Sequence, residues 1–272
     1  HKLGVDIPSE KRGIIPSAKY YQKIFGARWQ SCNIISNSIG QGEVSTTLTQ
    51  LANMMAVIAN KGWYYTPHLV DSIEGGDTYG LLKPFKVRNH TLPVPDSIFE
   101  AVHDGMQGTM EFGTGYYAKV PGIVVCGKTG TVENTHKGEK QKDHAFFGAF
   151  APRDNPKIAI AVMCENAGYG ATSAAPIASL LIEQYLNDSI ATDRKSLEDR
   201  LTKMNLIPAR MRKEMAQMDS IKRVRDSIKL IKQKQQEAQD TLDIEEQPEV
   251  EVRSTFKGRP EMPADSARMP AR

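Results

Sequence analysis

Apolar residues recur with a helical period in three stretches of the chain. They predict one helix from residue 48 to about residue 60, a second around residues 98–108, and a third over about 172–185. Hydroxyl residues at 45–47 offer an N-cap for the first helix, and Asn60-Lys61-Gly62 marks its end. The apolar positions that carry this period are Leu48, Leu51, Met55 and Ile58, then Ile98, Val102 and Met106, and finally Ile177, Leu180, Leu181 and Ile182.

Short apolar runs bounded by turn residues predict strands between these helices. Ile123–Cys126, His144–Ala151 and Lys157–Cys164 follow one another, and the Pro/Asp/Asn-rich sequence 151–156 predicts a turn between the last two. Tyr64–Ile73 predicts a further strand at an edge or bend, because the proline at 67 cannot donate to a ladder. We therefore expect an α/β fold of the α+β kind, in which helices cover an antiparallel sheet.

The first part of the chain shows little periodicity. Residues 5–30 are rich in Pro, Gly, Lys and aromatic residues and predict an irregular connection, which a short extended piece over Cys32–Ile35 follows. Gly40-Gln41-Gly42 predicts a turn at the entry to the first helix. A phosphate-binding loop is the alternative for these glycines, but the Lys-Ser/Thr ending and the long preceding strand of such a loop are missing.

The composition changes beyond about residue 187. Met, Ile and Val recur every three or four positions from Met211 to Ile231 among Lys, Arg and Gln, which predicts an amphipathic helix with some heptad character. Such a helix more often packs on its own domain or self-associates than binds a membrane surface or a specific partner. From residue 243 an acidic block and a Pro/Ser/Arg-rich end predict disorder. We expect a folded part over 1–187, a basic helical extension over 188–242 and a disordered tail over 243–272.

Composition and charge exclude several classes of protein. Hydrophobic residues make up 40% of the 272 residues and charged residues 25%, as in globular proteins, and a net charge of +3 is too small for a nucleic-acid footprint. The apolar run around 177–182 is far shorter than the roughly 20 residues that span a bilayer. Cys32, Cys126 and Cys164 form no close pair and are predicted to be buried thiols rather than disulfides or metal ligands.

The clearest candidate for chemistry is Lys128-Thr129-Gly130-Thr131, which follows an apolar strand and precedes a polar hairpin over 133–143. A lysine ammonium and two threonine hydroxyls on one strand edge form a pocket for a peptide carboxylate. Gly130 would let a substrate backbone lie along that edge, and a backbone N–H just beyond it would donate to an oxyanion. The alternative for the tripeptide alone is an ordinary exposed hairpin strand.

The same residues resemble a known family. Lys128-Thr129-Gly130 is similar to the third motif of the penicillin-recognising serine acyltransferases, whose other motifs are Ser-x-x-Lys and Ser-x-Asn. The flanking sequences resemble the penicillin-binding protein 2 family of elongation transpeptidases over roughly residues 1–187. They are Ser38-Ile39-Gly40-Gln41-Gly42, Thr66-Pro67-His68-Leu69-Val70, Asp143-His144, Phe150-Ala151-Pro152, Glu165-Asn166-Ala167-Gly168 and Ala174-Ala175-Pro176.

The resemblance implies the C-terminal portion of a penicillin-binding transpeptidase domain with a β-lactamase-like fold. Lys128 and Thr129 would hold the carboxylate of a stem peptide ending in D-Ala-D-Ala, or of a β-lactam, and the Thr131 N–H would form half of an oxyanion hole. It also implies wall-elongation proteins as partners, and a periplasmic catalytic domain held to the inner membrane by an upstream anchor. No metal and no organic cofactor is implied.

The resemblance also implies that the nucleophilic serine lies upstream, because both serine motifs precede Lys-Thr-Gly in the family and the start of the chain, 1–13, is expected to be the middle of a longer protein. Two matches inside the chain are set aside. Ser254-Thr255-Phe256-Lys257 follows Lys-Thr-Gly in a disorder-prone tail, and Ser31-Cys32-Asn33 lies on a predicted extended run. No residue of this chain is therefore predicted to be the nucleophile.

Two other interpretations of the sequence stay open. One is a β-lactam hydrolase or sensor on the same fold, and the other is a module that binds without catalysis.

His136 and His144 lack a metal-ligand spacing such as His-Glu-x-x-His. They are predicted to lie in a loop and at a strand entry, respectively.

Overall fold

The computed structural model describes residues 2–91, 93–136, 138–207 and 209–245. Within these residues the α-helices are α1 (Ala18–Phe25), α2 (Cys32–Ser38), α3 (Leu48–Ala59), α4 (Asp96–Glu111), α5 (Ala174–Asn187), α6 (Lys195–Thr202) and α7 (Ala209–Glu245). The strands are β1 (Trp63–Tyr65), β2 (Arg88–His90), β3 (Cys126–Val132), β4 (Thr135–His136), β5 (Glu139–Lys140), β6 (His144–Ala151) and β7 (Ile158–Cys164). The predicted combination of helices with antiparallel strands is confirmed.

The main sheet is antiparallel and has the strand order β3-β6-β7. The small ribbon of β4 and β5 lies in the polar connection between β3 and β6, and β1 pairs with β2 in a separate ribbon. Because β6 is the central strand, it is buried almost along its whole length, as its apolar sequence predicts. Among the described residues, β3 therefore has one edge without a strand partner.

Helices cover both faces of this sheet. Phe147, Ala149 and Ala151 of β6 belong to one buried cluster with residues of α5, whereas Phe150 belongs to a second cluster with residues of α3 and α4. Successive side chains of a strand point to opposite faces, so α5 covers one face and the α3/α4 pair covers the other. This arrangement fixes β3 between α4 and β6.

The three helices predicted between residues 48 and 185 are present as α3, α4 and α5, and α4 is longer than predicted. Thr47 caps α3 through a capping box with Gln50. Helix α4 continues to Glu111 instead of ending near Gly108, because Gly108 does not adopt the positive φ of a helix-ending glycine, and its carbonyl accepts from the backbone N–H of Phe112 at the C-cap (3.1 Å).

The predictions for the first 40 residues were wrong in two places. Helix α1 forms within the stretch predicted to be irregular, and α2 replaces the predicted extended piece over Cys32–Ile35. Helices of seven or eight residues depend on tertiary contacts more than on propensity. Here the buried Tyr21 donates its hydroxyl hydrogen to Glu43 (2.7 Å) and accepts from Asn37 (2.6 Å), which ties both helices together.

The three cysteines were predicted to be buried, and Cys32 is the exception. It is exposed at the start of α2, so the expectation that it is buried was wrong, whereas Cys126 is buried and Cys164 is partly buried.

Two predicted strands are shorter or shifted. Only Tyr64 and Tyr65 of the predicted strand over Tyr64–Ile73 pair, as part of β1, because the backbone N–H groups of Leu69 and Val70 donate to the carboxylate of Asp6 instead (2.9–3.0 Å). The run Ile123–Cys126 leads into β3, which begins at Cys126 and extends to Val132. Residues 120–123 form an isolated bridge around the turn at Gly122, where φ is +74°.

The chain divides into two compact units, His1–Pro208 and Ala209–Arg272. The first unit thus includes residues 188–208, which were predicted to belong to the extension. A buried ion pair joins them to α5, because Arg194 donates to Glu183 (2.5 Å) and to the Ser179 hydroxyl (2.7 Å).

The second unit is described by α7 alone, which contains the predicted amphipathic stretch. Its apolar residues from Met211 to Ile231 are between 47% and 69% exposed. The helix reaches Glu245, so the first residues of the predicted disordered tail are helical, and residues 246–272 lie outside the described residues. In the described part of the chain, no helix combines the length and the apolar character needed to cross a bilayer.

Candidate active site

The four predicted site residues lie together on β3, next to its unpaired edge. Lys128 lies opposite Gly148 of β6, Thr129 opposite Phe147, Gly130 opposite Phe146 and Thr131 opposite Ala145. The strand that Lys-Thr-Gly was predicted to occupy is therefore present, and its partner strand is the predicted apolar run. Each of these four residues is at least partly open to solvent, in contrast to the buried Cys126 and Gly127 that begin the strand.

The start of β3 is held firmly against α4. The Cys126 thiol donates to the backbone carbonyl of His103 (3.6 Å), and burial raises the pKa of this thiol to about 11. A Cβ at Gly127 would overlap the ring of Phe147 and lie 3.1 Å from Sδ of Met110. These close contacts fix the position of β3 against α4 and β6 just before the four residues that are at least partly open to solvent.

Lys128 supplies a positive charge at the exposed part of β3. Its side chain is exposed, and its Nζ donates to the backbone carbonyl of Thr129 (2.8 Å). One of the three ammonium hydrogens is thus taken up by the backbone of the next residue, which holds the charge close to the strand. An anion that approaches this part of β3 would therefore be attracted by a positive charge.

Thr129 has a partner that was not predicted from the sequence. The Thr129 and Thr114 hydroxyl oxygens lie 2.6 Å apart, which is a hydrogen bond in which either hydroxyl can donate. Thr114 lies in the turn after α4, between two glycines. The interrupted pattern Gly113-Thr114-Gly115 in the sequence was the available signal, but nothing in it indicated which strand the hydroxyl would meet.

The two glycines beside Thr114 are required by close packing. A Cβ at Gly113 would lie 2.8 Å from Cα of Thr109, and a Cβ at Gly115 would lie 2.6 Å from Sδ of Met110. The Gly115 N–H donates to the carbonyl of Thr109 (2.9 Å), so the turn folds back on the end of α4. The turn therefore holds the Thr114 hydroxyl at a fixed place over β3.

A cavity of about 440 Å³ opens beside these residues. It is bounded by β3, by the turn that carries Thr114, and by a third segment before α5 that was not predicted to be part of the site. Its lining residues are Gly113, Thr114, Tyr117, Thr129, Gly130, Thr131, Tyr169, Gly170, Ala171 and Thr172.

Gly130 and Gly170 let the third segment approach the strand. A Cβ at Gly170 would overlap the carbonyl oxygen of Phe146 and lie 2.7 Å from that of Gly130. A Cβ at Gly130 would lie 3.1 Å from Cδ1 of Phe146. The glycine of Lys-Thr-Gly therefore has a packing reason within the fold, besides the predicted space for a substrate backbone.

The remaining sequence candidates lie elsewhere or outside the description. Ser31 and Cys32 are at the start of α2, and Ser254–Lys257 lies outside the described residues. His144 begins β6, where its Nδ1 accepts from the backbone N–H of Asn166 (3.1 Å), which agrees with the predicted strand entry. The glycines of Gly40-Gln41-Gly42 have φ of +76° and +68°, as expected of a turn.

His136 was predicted to lie in a loop, but it lies on β4. Among the described residues, no group of three or more His, Cys, Asp or Glu side chains is suited to hold a metal ion.

Comparison with known proteins identifies the class. A family model described as the penicillin-binding protein transpeptidase domain matches residues 1–183. Because this match covers well over half of the chain, the chain belongs to the family of penicillin-binding protein transpeptidases.

Its relatives narrow the class further. The chain is similar to peptidoglycan D,D-transpeptidase MrdA of Acinetobacter baumannii, with 35% identity over 201 residues that cover 68% of this chain and 29% of that protein. The MrdA protein of Escherichia coli K12 is 30% identical over 215 residues, which cover 72% of this chain and 32% of that protein. The chain thus spans about a third of the length of the curated relatives that it matches.

Solved structures support the assignment to the penicillin-binding protein transpeptidases. The fold is similar to that of Pseudomonas aeruginosa PBP2 in complex with WCK 5153, with a TM-score of 0.56, 29% identity, and coverage of 69% of this chain and 40% of that chain. It is also similar to that of Helicobacter pylori PBP2 in a complex with MreC, with a TM-score of 0.57, 25% identity, and coverage of 68% and 33%. The predicted resemblance to the penicillin-binding protein 2 family and the predicted fold class are confirmed.

Proposed function

We propose that the protein to which this chain belongs is a peptidoglycan D,D-transpeptidase that cross-links stem peptides by serine acyl transfer during cell-wall elongation. The observation that carries this proposal is the placement of Thr129, Gly130 and Thr131 in the lining of an open cavity, with Lys128 next to them on the same partly exposed strand. The names of the curated relatives support the same reaction.

In this proposal the chain supplies the carboxylate-binding and oxyanion-stabilising parts of the site. Lys128 attracts the terminal carboxylate of the stem peptide, and Thr129 donates a hydrogen bond to it. The N–H of Thr131 donates to the oxygen of the scissile carbonyl as negative charge develops there. Gly130 leaves room for the substrate backbone along the strand.

The nucleophile in this proposal is a serine of a Ser-x-x-Lys motif upstream of residue 1, with the Ser-x-Asn motif also upstream. Its oxygen bonds to the carbonyl carbon of the penultimate D-alanine, and the peptide bond to the last D-alanine breaks as that amine takes a proton. An amine of a neighbouring stem peptide then attacks the ester, forms the cross-link and returns the serine. No metal and no organic cofactor enters either step.

Partners and location follow from the same proposal. We infer that the catalytic part lies on the periplasmic side of the inner membrane, held by an upstream anchor, and that it meets wall-elongation proteins. The Helicobacter pylori relative in complex with MreC supports such a partner. The predicted division into 1–187, 188–242 and 243–272 stays part of the proposal as a division by resemblance to the transpeptidase family, which the family match over residues 1–183 supports.

Two alternative functions were left open by the sequence. A β-lactam hydrolase or sensor on the same fold is disfavoured by the relatives, which are named as transpeptidases. A module that binds without turnover is the alternative for the isolated chain, because a strand edge without its neighbours leaves backbone groups unpaired.

Turnover by the extended chain, meaning this chain with its upstream residues, tests the proposal. The substrates are a stem pentapeptide ending in D-Ala-D-Ala and an acceptor amine, and released D-alanine and cross-linked product are measured. Lys128→Ala should lower turnover roughly tenfold to a hundredfold, because it removes a charge-assisted hydrogen bond to the carboxylate. Lys157→Ala, at an exposed lysine just before β7, is the control and should change nothing. Equal turnover in the two variants, or hydrolysis without cross-linking, would contradict the proposal.

A further inference from the structure

The hydrogen bond between Thr114 and Thr129 has a consequence for substrate binding. We propose that Thr114 is a positioning residue that directs the Thr129 hydroxyl hydrogen toward the carboxylate of the substrate. This inference rests on the proposed function, because it concerns the residue proposed to bind that carboxylate. Thr114 itself need not touch the substrate.

The number of hydrogens in the pair decides which hydroxyl can serve the anion. Each hydroxyl has one hydrogen and two acceptor lone pairs, and the two oxygens are 2.6 Å apart, so one hydroxyl donates to the other. If Thr129 donates to Thr114, its only hydrogen points away from an anion in the cavity. If Thr114 donates, Thr129 accepts that bond and keeps its own hydrogen for the carboxylate. An anion that is bound by the Thr129 hydroxyl therefore selects the second arrangement.

That arrangement strengthens the bond to the anion. A hydroxyl that accepts a hydrogen bond becomes a better donor, since neighbouring bonds in a chain polarise each other. The Lys128 ammonium donates to the backbone carbonyl of Thr129 at 2.8 Å, so a positive charge lies on the same strand as the pair. The carboxylate would thus meet an oriented O–H in the field of that charge.

The fold holds Thr114 in a way that suits this role. Its turn is closed by the bond from the Gly115 N–H to the carbonyl of Thr109, and its two flanking glycines have no room for a Cβ. Thr114 is exposed and lines the same cavity as Thr129 and Thr131. The donor is therefore fixed by the backbone before any ligand arrives, which lowers the cost of ordering it on binding.

Acylation of the extended chain by a penicillin with a free carboxylate and by the methyl ester of the same penicillin tests this inference. Thr114→Val should lower the second-order acylation rate for the acid roughly threefold to tenfold, the effect of losing one hydrogen bond. The rate for the ester should fall less, so the ratio of the acid rate to the ester rate should drop. Thr114→Ser retains the hydroxyl and should restore the ratio.

Thr202→Val is the matched control. Its hydroxyl donates to the carbonyl of Glu198 (2.9 Å) within α6, so the same chemical change is made away from the candidate site. Its acid-to-ester ratio should equal that of the wild type. An unchanged ratio in a folded Thr114→Val protein, or an equal loss in Thr114→Ser, would overturn the role of Thr114 alone. Absence of acylation in the wild type would remove the proposed function, and this inference with it.

Discussion

At the scale of single residues, the absence of a side chain decides how the candidate site is assembled. Gly127 lets Phe147 and Met110 close under the strand, and Gly170 lets the segment before α5 lie against the backbone of Gly130. A Cβ would overlap the ring of Phe147 in the first case and the carbonyl oxygen of Phe146 in the second. The site thus depends on glycines outside Lys128-Thr129-Gly130-Thr131 as well as on the one inside it.

Gly170→Ala tests this dependence in the extended chain. The added Cβ would meet backbone atoms of Phe146 and Gly130, which cannot rotate away, so the segment must shift from β3. We expect acylation by penicillin to slow roughly tenfold or more, as expected when a site is displaced by a fraction of an ångström to an ångström. Gly105→Ala on α4 is the control, since a Cβ there meets nothing within 4 Å. Equal acylation rates for the two variants would count against the assigned site.

Cysteine reactivity provides a second test at this scale. Burial raises the pKa of the Cys126 thiol to about 11, so at pH 8 only about one molecule in a thousand carries the reactive thiolate, whereas Cys32 is exposed. Iodoacetamide should therefore modify Cys32 first in the native protein and reach Cys126 only after denaturation or at strongly alkaline pH. Peptide mapping by mass spectrometry measures both sites in one sample. Native modification of Cys126 as fast as that of Cys32 would show that β3 is not packed as described.

At the scale of secondary-structure elements, the periodic pattern predicted helices and strands correctly where local preferences and tertiary contacts favour the same structure. Helix α3 has a helical apolar period and its own capping box, and β6 is apolar because both its faces are covered. Helices α1 and α2 were missed because they are held by the hydroxyl of Tyr21, whose partners Asn37 and Glu43 are distant in sequence. Likewise, no local pattern could pair Thr114 with Thr129 fifteen residues later.

The ion pair that joins residues 188–208 to α5 gives a prediction about stability. Arg194→Met would leave Glu183, which is 2% exposed, without its charged partner. Loss of one partner from a buried pair costs about 3–5 kcal/mol, and the free energy of unfolding of the extended chain should fall by that amount. Denaturant unfolding measures this change.

Arg210→Met is the control for that measurement. Arg210 and Glu214 form an exposed pair on α7 (3.0 Å), for which a cost of about 0.3–0.5 kcal/mol is typical. If Arg194→Met lowered the free energy of unfolding no more than Arg210→Met, residues 188–208 would not be anchored to the first unit through this pair.

At the scale of the whole molecule, the sheet and its helices bring together three segments of one site. The edge strand β3, the turn after α4 and the segment before α5 line one cavity. The first of these could be predicted from the sequence, because Lys-Thr-Gly on a strand is a local pattern with a local chemistry. The other two have no comparable local pattern, since their contribution comes from the backbone approach that the glycines permit.

The curated relatives are about three times as long as the part that they share with this chain. In the proposed function, the Lys128–Thr131 strand supplies the carboxylate and oxyanion contacts, and the attacking serine comes from outside residues 1–272.

Covalent labelling by a fluorescent penicillin separates the contribution of this chain from that of the upstream residues. Four proteins are compared on a denaturing gel: the 272-residue chain, the extended chain, and the extended chain with Lys128→Ala or with Lys157→Ala. We predict strong labelling of the extended chain and of its Lys157→Ala variant, weak labelling with Lys128→Ala, and none for the 272-residue chain. Labelling of the 272-residue chain by itself would contradict the upstream serine, and equal labelling of all three extended proteins would contradict the role of Lys128.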